Sequence, residues 1–312
     1  MYDIVALGEL LIDFACTGVD AAGYPSMEAH PGGAPANFLA AAAAAGGKTA
    51  LLAKVGQDAF GDLLLRTLRE AGIETRGVIR DAEVFTTLAF VTLDGHGERS
   101  FSFARKPGAD TQLRFEELEL YLIDSARAFH FGTLSLTDEP ARSATYRAAA
   151  HAKVRGKLIT FDPNLRPPLW RSMDEARTQM LWGLTQADVV KISDNEVEFL
   201  FGCTPEEGAR RLLEEYGVRL AFVTCGAEGC WFANPRASGH VDGLRGLDVV
   251  DTTGAGDIFG GSAIQRLLGT GKAPEKLEEP ELRRIAEYAT RVAGLSTTRR
   301  GGISSIPKRG EV

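Results

Sequence analysis

The stretch TALLAKVGQDAFGDLLLRTLREAGI (residues 49–73) combines the two patterns that decide the fold class. Its first part, residues 49–56, is a short apolar run that ends in glycine, which is typical of a buried strand. Its second part, residues 60–73, has apolar side chains at helical spacing and a glycine near its end, so it predicts an amphipathic helix. A strand followed directly by a helix is the repeating unit of an α/β protein.

The same alternation recurs along the chain of 312 residues. Apolar runs predict further strands at residues 3–9, 157–164, 187–193 and 220–226. Helical patterns lie at residues 36–47, 196–202 and 206–218. Strands that alternate with helices indicate a doubly wound, mainly parallel sheet, and we expect residues 1–312 to form a single domain.

One region departs from this rhythm. Residues 86–106, TTLAFVTLDGHGERSFSFARK, contain two β-rich runs joined by DGHGE, which predicts a hairpin turn. A hairpin inside an α/β chain often forms a separate sheet over the main one. We therefore expect a small β-sheet lid, with strands within about residues 10–31 and 84–108.

Composition excludes several classes of function. The formal net charge is −7 and no Lys/Arg-rich block occurs, which argues against a nucleic-acid partner. No apolar run is long enough to span a membrane, and the first residues lack the basic start of a signal peptide, so a cytoplasmic location is expected. The cysteines are Cys16, Cys203, Cys225 and Cys230; they form no CxxC pair and are expected to be buried free thiols.

Two glycine motifs resemble nucleotide-binding loops. Residues 42–49, AAAAGGKT, end like a phosphate-binding loop, but Ala42 stands where the first glycine belongs and a helix precedes the motif. Residues 254–260, GAGDIFG, fit a loose dinucleotide fingerprint, but they lie near the C-terminus and Asp257 would repel a pyrophosphate. The first motif is better explained as a helix end.

The segment DVVDTTGAGDIFGGSAI (residues 248–264) predicts a helix whose start can bind an anion. The N–H groups of Gly254, Ala255 and Gly256 would stabilise charge on a phosphoryl group in transfer. Asp257, one residue later, could accept the proton of an attacking hydroxyl as a general base. The alternative is that Asp257 is an ordinary helix N-cap.

Two long motifs resemble those of the ribokinase-type carbohydrate kinases, the PfkB family. They are PGGAPANFLAAAA, which starts at Pro31, and DTTGAGDIFGG, which starts at Asp251. The resemblance covers nearly the whole chain and implies a doubly wound α/β domain with a small β lid. It also implies ATP and Mg²⁺ as cofactors and a small sugar as the acceptor.

The resemblance assigns roles to particular residues. Asp13 would bind sugar hydroxyls, although a turn or cap aspartate is the alternative. Gly32 and Gly33 would let the backbone approach the sugar, and Asn37 would form a hydrogen bond to it. Asp257 would be the base.

The nucleotide would be held by two further elements of the family. VTCGAEGC matches its T-x-G-x-x-G loop and implies that Thr224, Gly226 and Gly229 contact ATP. KISDNEVEFLFG matches its N-x-x-E element, which helps place Mg²⁺ and phosphates; this alignment selects Ser193 and Glu196. Asn195 and Glu198 fit the same spacing two residues later, and a solvated helix face is the remaining alternative. A monovalent cation such as K⁺ is also implied, at Asp251, Thr253, Ser296, Gly301 and Ser305.

Two arginines bear on the acceptor. ERSFSFARKPGAD and ITFDPNLRPPLW resemble fructokinases and 2-keto-3-deoxygluconate kinases, in which Arg105 and Arg166 would reach the substrate or the phosphate. Arg166 could instead form a salt bridge to Asp162. Phe103 and Ala104 precede Arg105, where tyrosines are expected in the keto-acid enzymes, and this favours a neutral sugar.

We therefore expect an ATP-dependent sugar kinase that converts D-fructose to fructose 6-phosphate. The alternative within the family is a 2-keto-3-deoxygluconate kinase. The alternative of another class is a catalytically inactive protein that senses sugar or nucleotide. The family also implies a homodimer formed through the lid sheet.

Overall fold

The computed structural model describes residues 1–93, 99–308 and 310–312, with the backbone alone for residues 93 and 99–101. Its strands are β1 (Tyr2–Leu7), β2 (Leu11–Val19), β3 (Pro25–Gly32), β4 (Thr49–Gly56), β5 (Ile73–Glu74), β6 (Val78–Asp81), β7 (Leu88–Leu93), β8 (Arg99–Ala104), β9 (Ala126–Gly132), β10 (Leu158–Asp162), β11 (Val189–Ser193), β12 (Leu220–Thr224), β13 (Cys230–Ala233) and β14 (Ser238–Val241). Its helices are α1 (Ala34–Ala44), α2 (Ala59–Glu70), α3 (Leu120–Asp124), α4 (Ala141–Val154), α5 (Met173–Gln186), α6 (Asp194–Phe201), α7 (Pro205–Tyr216), α8 (Ala255–Gly269) and α9 (Glu279–Ser296).

A large sheet forms the centre of the molecule. Its strand order is β14-β13-β12-β11-β10-β9-β1-β4-β5, and β6 also pairs with β4. Pairing is parallel from β12 to β5, and β13 and β14 add an antiparallel edge. This mainly parallel sheet confirms the predicted fold class.

Both faces of the sheet are covered by helices. Along β1, Ile4 and Ala6 point into a core shared with α1, α2, α8 and α9, whereas Val5 and Leu7 point into a core shared with α3 to α7. Every one of these four side chains is fully buried. Because alternate side chains of a strand leave on opposite faces, burial on both sides accounts for the unbroken apolar runs in the sequence.

A separate small sheet has the order β3-β2-β7-β8. β2 pairs with β3 and β7 with β8 in antiparallel fashion, whereas β2 and β7 are parallel. The two predicted β-rich runs therefore pair as β7 and β8, while the predicted DGHGE turn, residues 94–98, lies outside the described residues. On one face, Phe14 stacks on Phe90 and meets Phe60 of α2 edge-on, so the small sheet rests on the main body.

The carboxyl ends of the parallel strands meet at one edge of the large sheet, below the small sheet. In doubly wound folds ligands bind at this edge, where the strand order changes direction. Here the order reverses at β1, which has β4 on one side and β9 on the other. The predicted site residues that follow β1, β10, β11 and β12 are thereby brought to one side of the molecule.

Two expectations about composition can be compared with the structure. No helix in the described ranges is long and apolar enough to cross a membrane. All four cysteines are free, as expected, but Cys230 is buried whereas Cys16, Cys203 and Cys225 are partly exposed. The expectation of buried thiols is therefore wrong for those three: Cys16 lies within β2 of the small sheet, and Cys203 and Cys225 follow α6 and β12.

Candidate active site

A cavity of about 610 Å³ lies between the small sheet and the carboxyl edge of the large sheet. Its walls come from β2, the start of α1, the segment after β10, and the loop before α8. The predicted residues that line it are Asp13, Gly33, Asn37, Arg166, Asp251, Thr253, Gly254, Asp257 and Gly301. Residues far apart in the sequence are thus brought to one chamber.

Asp257 lies in the first turn of α8. The helix begins after Gly254, whose φ is 75°, and no side chain caps its start. The Asp257 carboxylate accepts hydrogen bonds from Asn37 Nδ2 at 2.9 Å and from Asn164 Nδ2 at 3.2 Å. The alternative that Asp257 is the N-cap is therefore wrong, because Gly254 occupies the N-cap position and the Asp257 carboxylate contacts side chains of other elements.

The surroundings of Asp257 suit a proton acceptor. Burial raises its pKa, and the hydrogen bond from Asn37 and the charges of Lys191 and Arg166 oppose that rise. Asp257 is 6% exposed, yet it lines the cavity, so it can meet a bound hydroxyl. A carboxylate with a raised pKa takes up a proton more readily than an ordinary one, which is what a general base requires.

The start of α8 offers free amides to an anion. Helix geometry leaves the first N–H groups without intrahelical acceptors, so Gly256 and Asp257 expose theirs at the positive end of the helix dipole. The Ala255 N–H donates to Thr252 O at 3.3 Å, a long hydrogen bond that an anion could replace. Anion site and carboxylate therefore share one helical turn.

Sequence reasoning did not identify the buried ion pair beneath this turn. Lys191 on β11 donates to Asp162 Oδ2, at the end of β10, over 3.0 Å. Burial raises the pKa of Asp162 to about 7, against the opposing charge of Lys191. Asp162 thus pairs with Lys191 and not with Arg166, so the salt-bridge interpretation of Arg166 is wrong. The lysine inside the apolar run VVKIS is the sequence feature that could have indicated a buried ion pair.

Asn164 was also missed as a site residue. Its φ is 46°, an unusual backbone conformation for a residue other than glycine, and it aims the amide at Asp257. Asparagine tolerates this conformation better than most residues, but nothing in DPN predicts which way the side chain points. Together, Asn37 and Asn164 hold the carboxylate from two sides.

The sugar side of the cavity is built around Asp13 and Gly33. Burial raises the pKa of Asp13 to about 7, while the charge of Arg166 lowers it and that of Asp257 raises it. Gly33 has a φ of 114°, and a Cβ there would lie 2.4 Å from Glu9 O, so only glycine fits. Gly32 lies beside Asp13 in the neighbouring strand β3, outside the cavity lining.

The two predicted arginines have different surroundings. Arg166 is exposed and lines the cavity, with Nη1 donating to Leu165 O at 3.1 Å. Arg105 is 5% exposed, and its guanidinium donates to Asp110, Thr137 and the Leu134 carbonyl at 2.7–2.9 Å. It does not line the cavity, so a direct contact between Arg105 and a sugar stays a prediction.

Burial distinguishes the two possible alignments of the N-x-x-E element. Glu196 is 6% exposed; it accepts from Ser193 N and Oγ at 2.8 Å and from Leu165 N at 2.6 Å. Asn195 and Glu198, two residues along the alternative register, are exposed. The geometry therefore favours Ser193 and Glu196, whose capping box ties α6 to the segment after β10.

The predicted nucleotide loop follows β12. Thr224 ends the strand, and its hydroxyl donates to Ile192 O at 3.4 Å. Gly226 and Gly229 both have positive φ and form the turn into β13. These three residues lie on the same edge of the sheet as the cavity but do not line it.

Three of the predicted cation ligands are joined by hydrogen bonds, whereas the two serines bond to carbonyls of their own segments. The Asp251 carboxylate accepts from Thr253 N at 3.0 Å, Thr253 Oγ1 at 2.7 Å and Gly301 N at 2.9 Å. Ser296 Oγ donates to Ala293 O and Ser305 Oγ to Gly302 O, each at 2.7 Å. Within the described ranges, no cluster of three or more His, Cys, Asp or Glu side chains could hold a metal ion. Hydroxyl and backbone oxygens suit K⁺, so the donor chemistry fits.

A known protein family and several known proteins resemble this chain over nearly its whole length. The pfkB family carbohydrate kinase profile matches residues 1–309. Fructokinase-1 of Zea mays is 42% identical over 313 residues, which cover 99% of this chain and 96% of the relative.

Solved structures give the same result. A fructokinase from Xylella fastidiosa with bound ATP has a TM-score of 0.90 and 31% identity, over 100% of this chain and 97% of that one. A double mutant of the fructokinase from Vibrio cholerae O395, with fructose, ADP and a potassium ion bound, has a TM-score of 0.87 and 30% identity, over 99% and 97% of the two chains. The chain therefore belongs to the pfkB family of carbohydrate kinases, which transfer a phosphoryl group to an alcohol.

Proposed function

We propose that this protein is an ATP-dependent fructokinase that forms fructose 6-phosphate. The observation that carries the proposal is the position of Asp257: it is buried, lines the cavity and lies in the open first turn of α8. General base and anion site are thus adjacent, as transfer of a phosphoryl group to a hydroxyl requires. Relatives at 42% identity carry the name fructokinase.

The residues of the chain would act in the following order. Asp13 and Asn37 hold sugar hydroxyls, and Asp257 takes the proton of the hydroxyl that attacks, which is O6 in fructose. The amides of Gly254, Ala255 and Gly256 stabilise negative charge on the transferring group. The new O–P bond forms as the bond between the β- and γ-phosphates breaks, and ADP leaves with the negative charge.

The nucleotide and its metal would lie beside this turn. Thr224, Gly226 and Gly229 would contact ATP, and Ser193 with Glu196 would help place Mg²⁺ and the phosphates. Mg²⁺ supplies neutralisation of the phosphate charge when bound. Asp251, Thr253, Ser296, Gly301 and Ser305 would hold K⁺, as a potassium ion is bound in the Vibrio relative.

The surroundings of the two arginines bear on whether the acceptor is a neutral sugar or a sugar acid. A carboxylate substrate needs an arginine that is free to form a forked contact. Arg105 has its donors occupied by Asp110, Thr137 and Leu134, which leaves Arg166 for the acceptor or the phosphate. We therefore keep 2-keto-3-deoxygluconate as the second acceptor to test. An inactive sensor would require damage to the proposed base or anion site, and the chain keeps Asp257 and the open first turn of α8.

The small sheet would serve as a lid and as a dimer interface. Val19 and Tyr24, at the β2–β3 hairpin, are 69% and 72% exposed. Pairing of two small sheets would cover them. Sedimentation equilibrium should then give twice the chain mass of 33.5 kDa, and Tyr24→Glu should shift it towards the monomer; a wild-type monomer would contradict the dimer.

The acceptor is tested by measuring ADP release from Mg-ATP with one sugar at a time. Fructose, 2-keto-3-deoxygluconate, ribose, glucose and tagatose are offered with and without K⁺. We expect fructose to give the highest kcat/KM. Preference for the keto acid would leave the kinase chemistry intact and overturn the assignment of the sugar.

A further inference from the structure

A buried lysine that the mechanism above does not use lies beneath the first turn of α8. Lys191 is 9% exposed and is flanked on β11 by fully apolar neighbours. In the described part of the chain, Asp162 Oδ2, 3.0 Å away, is its hydrogen-bond acceptor. An ammonium carries three N–H donors, so this one has capacity for another partner.

The ammonium touches the predicted anion site. A Cβ added to Gly256 would lie 2.7 Å from Lys191 Nζ and 3.4 Å from its Cε. Lys191 therefore packs against the Gly256 backbone, next to Gly254 and Asp257, which line the cavity. A charge in a buried position acts over a lower effective dielectric than one at the surface, so it adds to the positive end of the helix.

Positive and negative side chains both surround the first turn of α8, and together they set the protonation states of Lys191 and Asp257. Burial alone would lower the pKa of Lys191, but the negative charges of Asp162, Glu196 and Asp257 outweigh burial and raise it, so the ammonium stays protonated at neutral pH. Around Asp257, the charges of Lys191 and Arg166 favour the carboxylate.

Three other carboxylates oppose that ionised form of Asp257: Glu196, Asp162 and Asp13. Asn37 and Asn164, which also face Asp257, are neutral donors. The hydrogen bond from Asn37 and the charges of Lys191 and Arg166 together favour the ionised form of Asp257 in a site crowded with acidic groups.

A second buried lysine shows what a purely structural ion pair looks like in this sheet. Lys54 on β4 is 4% exposed, and its Nζ lies 2.6 Å from Glu117 Oε1 and 3.4 Å from Asp81 Oδ2. It lies outside the cavity lining. Lys54 thus matches Lys191 in burial and ion pairing but has no part in the site.

We propose that Lys191 is a positioning residue for phosphoryl transfer: anchored by Asp162 and packed against Gly256, its ammonium places a fixed positive charge behind the open turn of α8 and beside Asp257. The inference rests on the proposed kinase function. The charge favours the ionised form of Asp257 and stabilises negative charge on the transferring phosphoryl group. Because it is in place before the reaction, no reorganisation is needed when that charge develops.

The test compares Lys191→Met with the matched control Lys54→Met in the full-length protein. The kcat and kcat/KM are measured from pH 5.5 to 9 with Mg-ATP and the acceptor that the wild type prefers, and thermal unfolding is followed in parallel. For K191M we expect kcat at pH 7 to fall about 10- to 100-fold and the acidic limb of kcat/KM to move up by about one pH unit. K54M should lower the melting temperature and leave both kinetic quantities near the wild-type values.

Asp162→Asn gives a second measurement of opposite sign. It removes a negative charge near Asp257 but keeps the Lys191 ammonium, so the acidic limb should move to lower pH. The inference is overturned if K191M behaves like K54M, or if D162N moves the limb in the same direction as K191M.

Calorimetric titration with Mg-ATP, in the absence of an acceptor, compares the nucleotide affinities of the two variants. Binding that is about 10-fold weaker in K191M than in K54M supports the inference, and equal binding contradicts it. A wild type that ignores fructose but uses another acceptor overturns only the proposed sugar, since the pH profiles are recorded with the preferred acceptor.

Discussion

Asp257 owes its chemical character to residues from other elements. Burial raises its pKa, and contacts from Asn37 and Asn164 hold the carboxylate in the cavity. A carboxylate in the same helical turn but facing solvent would be an ordinary acid. The assignment of Asp257 as the base therefore depends on the residues that surround it. It can be tested by changing the Asp257 carboxylate alone.

Asp257→Asn keeps the shape of the side chain and removes its ability to accept a proton. We expect kcat to fall by about 10³-fold, within the range that a general base contributes, because the sugar hydroxyl then keeps its proton as it attacks. Calorimetry should show that the variant still binds Mg-ATP. A kcat close to that of the wild type would overturn the assignment of Asp257.

Glu9 gives a second prediction, on stability. Burial raises its pKa from 4.5 to about 7, and its Oε1 accepts from Ala34 N at 2.8 Å. The folded protein therefore binds this proton more tightly than the unfolded chain. The associated stability is present below about pH 4.5 and is lost as the pH rises to about 7.

Glu9→Gln keeps the acceptor for Ala34 N and removes the ionisation. We expect the variant to gain about 2–3 kcal/mol of unfolding free energy over the wild type at pH 8, and little at pH 5. Urea unfolding at the two pH values measures this difference. An equal difference at both values would mean that Glu9 ionisation does not limit stability.

Among the secondary-structure elements, the packing of α1 against α8 fixes the geometry of the site. Gly261 of α8 lies so close to α1 that an added Cβ would be 1.9 Å from Phe38 O. This approach keeps Asn37, on the same helix as Phe38, within hydrogen-bond distance of Asp257. The packing of two helices thereby sets the position of the base.

Gly261→Ala should disturb this contact. We expect a loss of about 1–3 kcal/mol of unfolding free energy, the usual cost of overpacking a tight core contact, together with lower kcat. Gly269→Ala is the control in the same helix, because a Cβ there meets nothing within 4 Å. Chemical denaturation of both variants measures the difference, and equal stability would show that the two helices can separate at no cost.

The elements that could be predicted from the sequence are those with unbroken apolar runs, such as β1, β4 and β10 to β12. β9 was not predicted because Arg127 and His130 interrupt its run. In the structure His130 is a core residue: it stacks on Phe38 at 3.7 Å between ring centroids, and burial lowers its pKa to about 3. A sequence does not show whether a histidine is desolvated in this way.

At the scale of the whole molecule, the fold class and the two motifs could be predicted, whereas the interior of the site could not. The glycines and Asp257 belong to long sequence motifs and can be identified from the sequence alone. The partners of Asp257, at positions 37 and 164, and the pair of Lys191 with Asp162 depend on which strand ends meet. Arg105 was predicted from its motif, but the sequence does not show that Asp110 and Thr137 accept hydrogen bonds from its guanidinium in the folded chain.

Identification of the product formed from fructose and Mg-ATP tests the proposed reaction directly. We expect NMR of the reaction mixture to show one phosphate ester, at C6, formed together with equimolar ADP by the wild type and about 10³-fold more slowly by Asp257→Asn. A phosphate at another carbon would contradict the proposed placement of O6 beside Asp257. ADP formed without any sugar phosphate, or no reaction with fructose, would contradict the proposal that this protein is a fructokinase.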